Sequence, residues 1–188
     1  MATEAALADV PAAELSYLCD GHGCGVSREV RHGGRGKSDL LTHLTEVRYV
    51  LKERLRCDDP ALLSAALFHS IYGTEGFQGK VMPLAERPAL RALIGDRAEF
   101  IVYLNCVMDR ASLDEAVRGL LGGGGAAAQY AIRTRAEHGG ARVPLTGDQL
   151  RDLMRVHFAD WCAGARPPAP KTRFPPPAPD ACFPPFSF

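Results

Sequence analysis

Apolar residues recur at intervals of three and four through residues 37–73, a spacing that predicts two helices joined by a short charged turn. Leu40, Leu44, Val47 and Leu51 form one stripe, with His43 at its edge beside Val47 and Val50. Leu62, Ala65, Ala66 and His69 form another, adjoined by Leu63 and Leu67. Asp58 or Asp59 ahead of Pro60 is a start signal, because a carboxylate accepts from free first-turn amides and Pro needs no N–H there. Gly73 is the expected stop. Each helix thus turns one imidazole inward, and packing the two helices together would bring the imidazoles close.

The same pattern organises the rest of the chain. Leu7, Val10, Leu15 and Leu18 predict a short helix over 3–19, followed by a basic, Gly-rich loop that carries His22, Cys24, His32 and Arg35. A one- or two-turn helix is expected over 88–93. Another starts at Asp96 and carries Phe100, Ile101, Leu104, Val107 and Met108. Ser112 and Glu115 have capping-box spacing for a further short helix, which Gly122 to Gly125 ends. Alternation on either side of Glu137-His138-Gly139-Gly140 predicts a hairpin of 130–135 against 142–145. Thr146 or Asp148 begins a last helix with Leu150, Leu153, Met154, His157, Phe158 and Trp161 at helical spacing, Trp161 being read as core. The pattern gives an all-α class with a small β-hairpin insertion. Residues 1–165 read as one helical domain.

Residues 166–188 are different in kind. They are Pro-rich with Phe at intervals and read as an extended, disordered tail. Pro167 with Pro170 and Pro176 with Pro179 have the spacing that an aromatic groove on a protein partner reads; the competing reading is an unpacked terminus.

Composition narrows the function classes. Twenty-two basic and 22 acidic side chains give zero formal net charge, so neither nucleic acid nor an acidic membrane surface is an expected partner. No stretch is apolar enough to span a bilayer, and the acidic first residues lack the features of a secretory signal. Six Cys in 188 residues is below disulfide-scaffold density, and a reduced, cytoplasmic protein is expected.

Two His on neighbouring helices and Asp160 on a third are how a helical bundle builds a divalent-metal site for Mn, Zn or Fe. A lone His at the edge of an apolar helix is ordinarily a hydrogen-bonded core residue; two with a carboxylate compose a ligand set. Such an ion polarises phosphoryl oxygen and makes water a nucleophile near neutral pH. Arg35 and Arg31 in the basic loop suit phosphate, and a solvated loop is the competing reading.

The run from Gly21 to Ser70 resembles the opening of an HD-domain protein, most nearly the guanosine-tetraphosphate hydrolase branch of that superfamily. His32 matches the family's loop His, His43 its second His, and His69 the His of the His-Asp pair. Asp160, after Ala159, is similar to the family's isolated Asp, so the likeness extends to about Cys162. The string from His69 to Thr74, His-Ser-Ile-Tyr-Gly-Thr, also resembles an uncharacterised HD-related family.

The resemblance implies an HD-like helical bundle whose metal ligands are His43, His69 and Asp160, with His32 a further one. Glu75 lies near the position of the acidic pair that activates water in those hydrolases. Ser70 stands where the family has the pair's Asp and is a candidate substrate-binding residue; Tyr72, just after the His69 helix, is read from its position either as shaping the mouth of a substrate pocket or as a core aromatic. The implied function is a metal-dependent phosphohydrolase acting on a nucleotide or small phosphorylated metabolite. Ser70 supports an alternative, an HD-fold sensor module without turnover. A di-iron oxygenase of HD type ranks below both, since only His138 and His157 are left as additional ligands.

Overall fold

The structure is a computed structural model, and it describes residue 7 and residues 9–19, 40–77, 81–122 and 129–164. His32, Arg31, Arg35 and the Pro-rich segment lie outside the described residues. Seven α-helices and one two-stranded antiparallel hairpin make up the regular structure of the described residues. Helix α1 (Ala12–Cys19) begins directly after Pro11, residues 9–11 ahead of it being non-helical, while residues 3–6 and 8 of the predicted helix lie outside the described residues. Helix α2 (Leu40–Tyr49) runs into a π-turn, Val50–Arg54. Helix α3 (Pro60–Phe68) is the central element. Leu62 through Phe68 are all buried, as expected of a helix apolar on every side.

Its start is as the sequence predicts. Asp59 accepts from the amides of Ala61 and Leu62, with Pro60 in the first turn. Its end differs: the helix closes at Phe68 with His69 as its cap, still in the helical region at φ −54° and ψ −24°, and Gly73 follows in the left-handed region at φ 81°. Beyond a short 3-10 turn at Leu84–Glu86 come α4 (Arg87–Ile94) and α5 (Asp96–Val107). Helix α6 (Arg110–Leu121) starts two residues earlier than Ser112. Asp109 is its cap, accepting from the Ala111 amide. Ser112 is buried instead: its hydroxyl donates to the Asp109 carbonyl and accepts the amide of Arg133.

Strands β1 (Tyr130–Arg133) and β2 (Arg142–Leu145) pair in the register Tyr130↔Leu145 to Arg133↔Arg142. Gly139 and Gly140 turn the chain at φ 90° and 61°, where a β-carbon would be strained. The last helix, α7 (Gly147–Gly164), opens on a reciprocal cap in which Gln149 N–H donates to Thr146 Oγ1 and Thr146 N–H donates to Gln149 Oε1.

Helix α3 packs against α2, α5 and α7, and α7 also meets α2 and α5. Arg97 ties three of these elements, donating to Asp152 on α7 and to Asp59, the cap of α3. Two turns beyond Asp152, α7 delivers Asp160 beside the far end of α3. Trp161 departs from its expected place in the core: it is 70% exposed, with Phe158 beside it on the outer face of α7. No helix among the described residues is long and apolar enough to cross a membrane.

Candidate metal centre

The site is made by the way α3 ends. A helix leaves its last carbonyls without amide partners, and here each is met by a specific group. His69 turns its own ring back so that Nδ1–H donates to the Ala66 carbonyl at 2.8 Å. Ile71 N–H reaches the Phe68 carbonyl. The carbonyl of His69 accepts from Asn105 Nδ2 at 2.9 Å and from the Cys106 thiol at 3.2 Å, both on α5. The imidazole of His69 is thereby held in one orientation, and its neutral ring carries a lone pair on Nε2.

Three ligand atoms from three helices converge there. His43 Nε2 lies 3.2 Å from His69 Nε2 and 3.1 Å from Asp160 Oδ1, and His69 Nε2 lies 3.4 Å from that oxygen. Ligands about 2.1 Å from one ion are about 3.0 Å apart along an octahedral edge and about 3.4 Å along a tetrahedral one. All three separations fall in that interval. The donor set, two imidazoles and one carboxylate, suits Zn, Mn or Fe. The backbone partner of His69 Nδ1 is the outer contact that metal-bound imidazoles characteristically make. The negative end of the α3 dipole also favours a cation here. His43, His69 and Asp160 therefore fit a divalent ion.

Without an ion, a proton on His43 Nε2 serves both neighbours, because His69 Nε2 and Asp160 Oδ1 are acceptors. Burial holds the His43 ring below its ordinary pKa, against the opposing pull of Asp160. Burial would raise the Asp160 carboxyl, but the two imidazoles beside it, His69 at 3.4 Å and His43 through its Nε2–H to Oδ1, outweigh burial and keep the group well below the usual carboxylate range. The site is set up as two imidazoles around one carboxylate.

The remaining candidates are placed as follows. Ser70 is buried next to His69, and its hydroxyl has no hydrogen-bond partner among the described residues. Tyr72 is buried with its hydroxyl donating to Glu99 Oε1, which assigns it to a core network rather than to the wall of an open pocket. Burial, then the Glu99 charge, pushes its phenol above the ordinary range. Glu75 is exposed and accepts the backbone N–H of Arg110 through Oε2, so it holds the start of α6.

Two residues of the site were not read as part of it in the sequence, although Cys106, in a helical pattern, is expected there as a buried thiol. Asn105 bridges His69 and His157, accepting from His157 Nδ1 through Oδ1 at 3.2 Å. Its only signal is an amide inside the otherwise apolar run from Phe100 to Met108. Cys106 is the other: burial pushes its thiol up to about 12.

Residues 26–110 match the model of a family described as a domain of unknown function, DUF6817. The matched stretch includes His43, His69, Asn105 and Arg110 and ends before Asp160. No curated protein and no solved structure matches the chain.

Proposed function

We propose that this chain is a metal-dependent phosphohydrolase of HD-like type, acting on a nucleotide or another small phosphorylated metabolite in the cytoplasm. One observation carries the reading: the triangle of His43 Nε2, His69 Nε2 and Asp160 Oδ1, with His69 fixed in the tautomer that leaves Nε2 open. A divalent ion there would supply Lewis-acid polarisation of a phosphoryl oxygen and a lowered pKa for water beside it. Asp160 contributes the charge, and its depressed pKa keeps it ionised through the neutral range. His43 and His69 contribute neutral nitrogens. Asn105 and Cys106 pin the backbone of His69, so its ring does not drift as ligand enters. Glu75 positions the first turn of α6, and no proton transfer is assigned to it.

Ser70 favours a second reading. A hydroxyl replaces the charge that a carboxylate at this position would give, which leaves the three ligands with a single formal negative charge. An HD-fold sensor that binds nucleotide without turnover is consistent with that weaker set. A di-iron oxygenase has less support, since the ligand cluster of the described residues comprises His43, His69 and Asp160. His138 sits in the hairpin turn against Arg135, and His157 is bonded to Asn105.

A panel of nucleoside mono-, di- and polyphosphates, incubated with Mn-loaded protein, separates the two main readings. Release of phosphate or pyrophosphate, abolished by Asp160→Asn, supports the hydrolase. Binding without release supports the sensor, and neither binding nor release on any member sinks both.

A further inference from the structure

Four large hydrophobic side chains are exposed among the described residues: Tyr49, Leu121, Phe158 and Trp161. Phe158 and Trp161 are three apart on α7 and so share a face, with ring centroids 6.2 Å apart at a tilt of 43°. Trp161 is 70% exposed and Phe158 38%. Met154, half-buried, continues the stripe one turn earlier. The opposite face of α7 carries Leu150, Leu153, Val156 and Ala159, all buried in the core. The aromatic pair therefore stands outside the core that this helix helps to build.

Size and sequence together indicate what covers it. Trp and Phe bury about 150–250 Å² each, so the pair offers about 500 Å² at most. A stable dimer needs about 800 Å² from each partner. The patch is too small to hold a second copy of the chain by itself, and it suits a short segment that is already tethered. Such a segment follows directly. Helix α7 ends at Gly164, and residues 165–188 include Phe174-Pro175-Pro176-Pro177-Ala178-Pro179. A Pro run of this kind favours the polyproline II form, whose backbone needs no sheet edge and which aromatic surfaces recognise. The reach is short. Phe158 lies six residues before Gly164, about 9 Å along the helix, and the nine residues 165–173 span up to about 30 Å.

We infer that the Phe158–Trp161 face of α7 is a docking surface for the chain's own Pro-rich segment, centred on residues 174–179. The tether keeps that segment at a high local concentration, so a contact too weak to hold a free peptide still forms within the chain. The inference rests on neither the metal nor the phosphohydrolase reading.

Trp161 is the chain's one tryptophan, so its fluorescence reports on this face alone. Acrylamide quenching is measured on full-length wild-type protein and on a full-length variant carrying Pro175→Gly, Pro176→Gly, Pro177→Gly and Pro179→Gly, the two matched in helix content by circular dichroism. A tether giving about 1 mM local concentration leaves a contact of about 1 mM affinity half-formed, so the variant is expected to be quenched about twofold more strongly. Wild-type protection should also be the same across a dilution of about a hundredfold, as a contact within one chain requires. Equal quenching in the two proteins overturns the proposal. Protection that is lost on dilution overturns it too, and assigns the face to a second copy of the chain.

Discussion

The Nε2 atoms of His43 and His69 stand 3.2 Å apart although 26 residues separate them in the chain. Two imidazoles at that distance must share a proton or an ion, since two bare lone pairs repel. Here His69 has committed its own N–H to the Ala66 carbonyl, so the shared proton sits on His43.

That arrangement fixes how the metal-free fold responds to acid. Burial lowers the pKa of both His43 and His157 from 6.5, so the unfolded chain takes up protons first as pH falls. Stability contributed by keeping these rings neutral is fully present above 6.5 and is lost as pH drops through the lower folded values. Thermal melts of metal-free protein should show a falling Tm from pH 7 to pH 5 and little change from pH 7 to pH 8. Replacing His157 by Gln should flatten the acid limb; an identical limb in that variant contradicts the assignment.

Glu99 anchors the other buried charge cluster. It is fully buried and accepts from Arg87 at 2.6 and 2.9 Å, from Arg91 at 3.3 Å and from Tyr72, while Arg87 also lies over the Tyr103 ring. Glu99→Ala leaves Arg87 and the Tyr72 hydroxyl without an acceptor, and a loss of about 3–5 kcal/mol is expected in urea unfolding. A loss below about 1 kcal/mol, the value of an exposed pair, would show that the network is not maintained in solution.

Much of this was legible in the sequence. Regular apolar spacing predicted the helices that carry His43, His69 and Asp160, and alternation about Gly139 and Gly140 predicted the hairpin. What the pattern could not show is which faces find partners. Trp161 keeps helical spacing with Leu150 and Leu153, yet α7 packs only one side and Trp161 is exposed. Ser112 has capping spacing with Glu115, but Asp109 wins the cap because strand β1 takes the Ser112 hydroxyl. Asn105 and Glu99 read as ordinary polar positions on a helix, since their partners arrive from distant segments.

Cys106 offers an independent check on the core beside the site. Its thiol is buried against the His69 carbonyl and pushed up to about 12, so almost no thiolate forms at neutral pH. Iodoacetamide at pH 8, followed by peptide mass spectrometry, should modify exposed Cys19 readily and leave Cys106 unmodified until denaturant is added. Equal labelling of the two in native protein would contradict the burial of this thiol.

The central claim is that His43, His69 and Asp160 hold one divalent ion, and elemental analysis of purified, buffer-exchanged protein tests it most directly. Wild-type protein is expected to retain Zn, Mn or Fe at about one ion per chain, the count for a single three-ligand site. Asp160→Asn, which keeps the shape and removes the charge, should lose it while its circular dichroism stays unchanged. Metal-free wild-type protein that also takes up none of these ions on titration, or an Asp160→Asn variant that retains a full equivalent, would contradict the account.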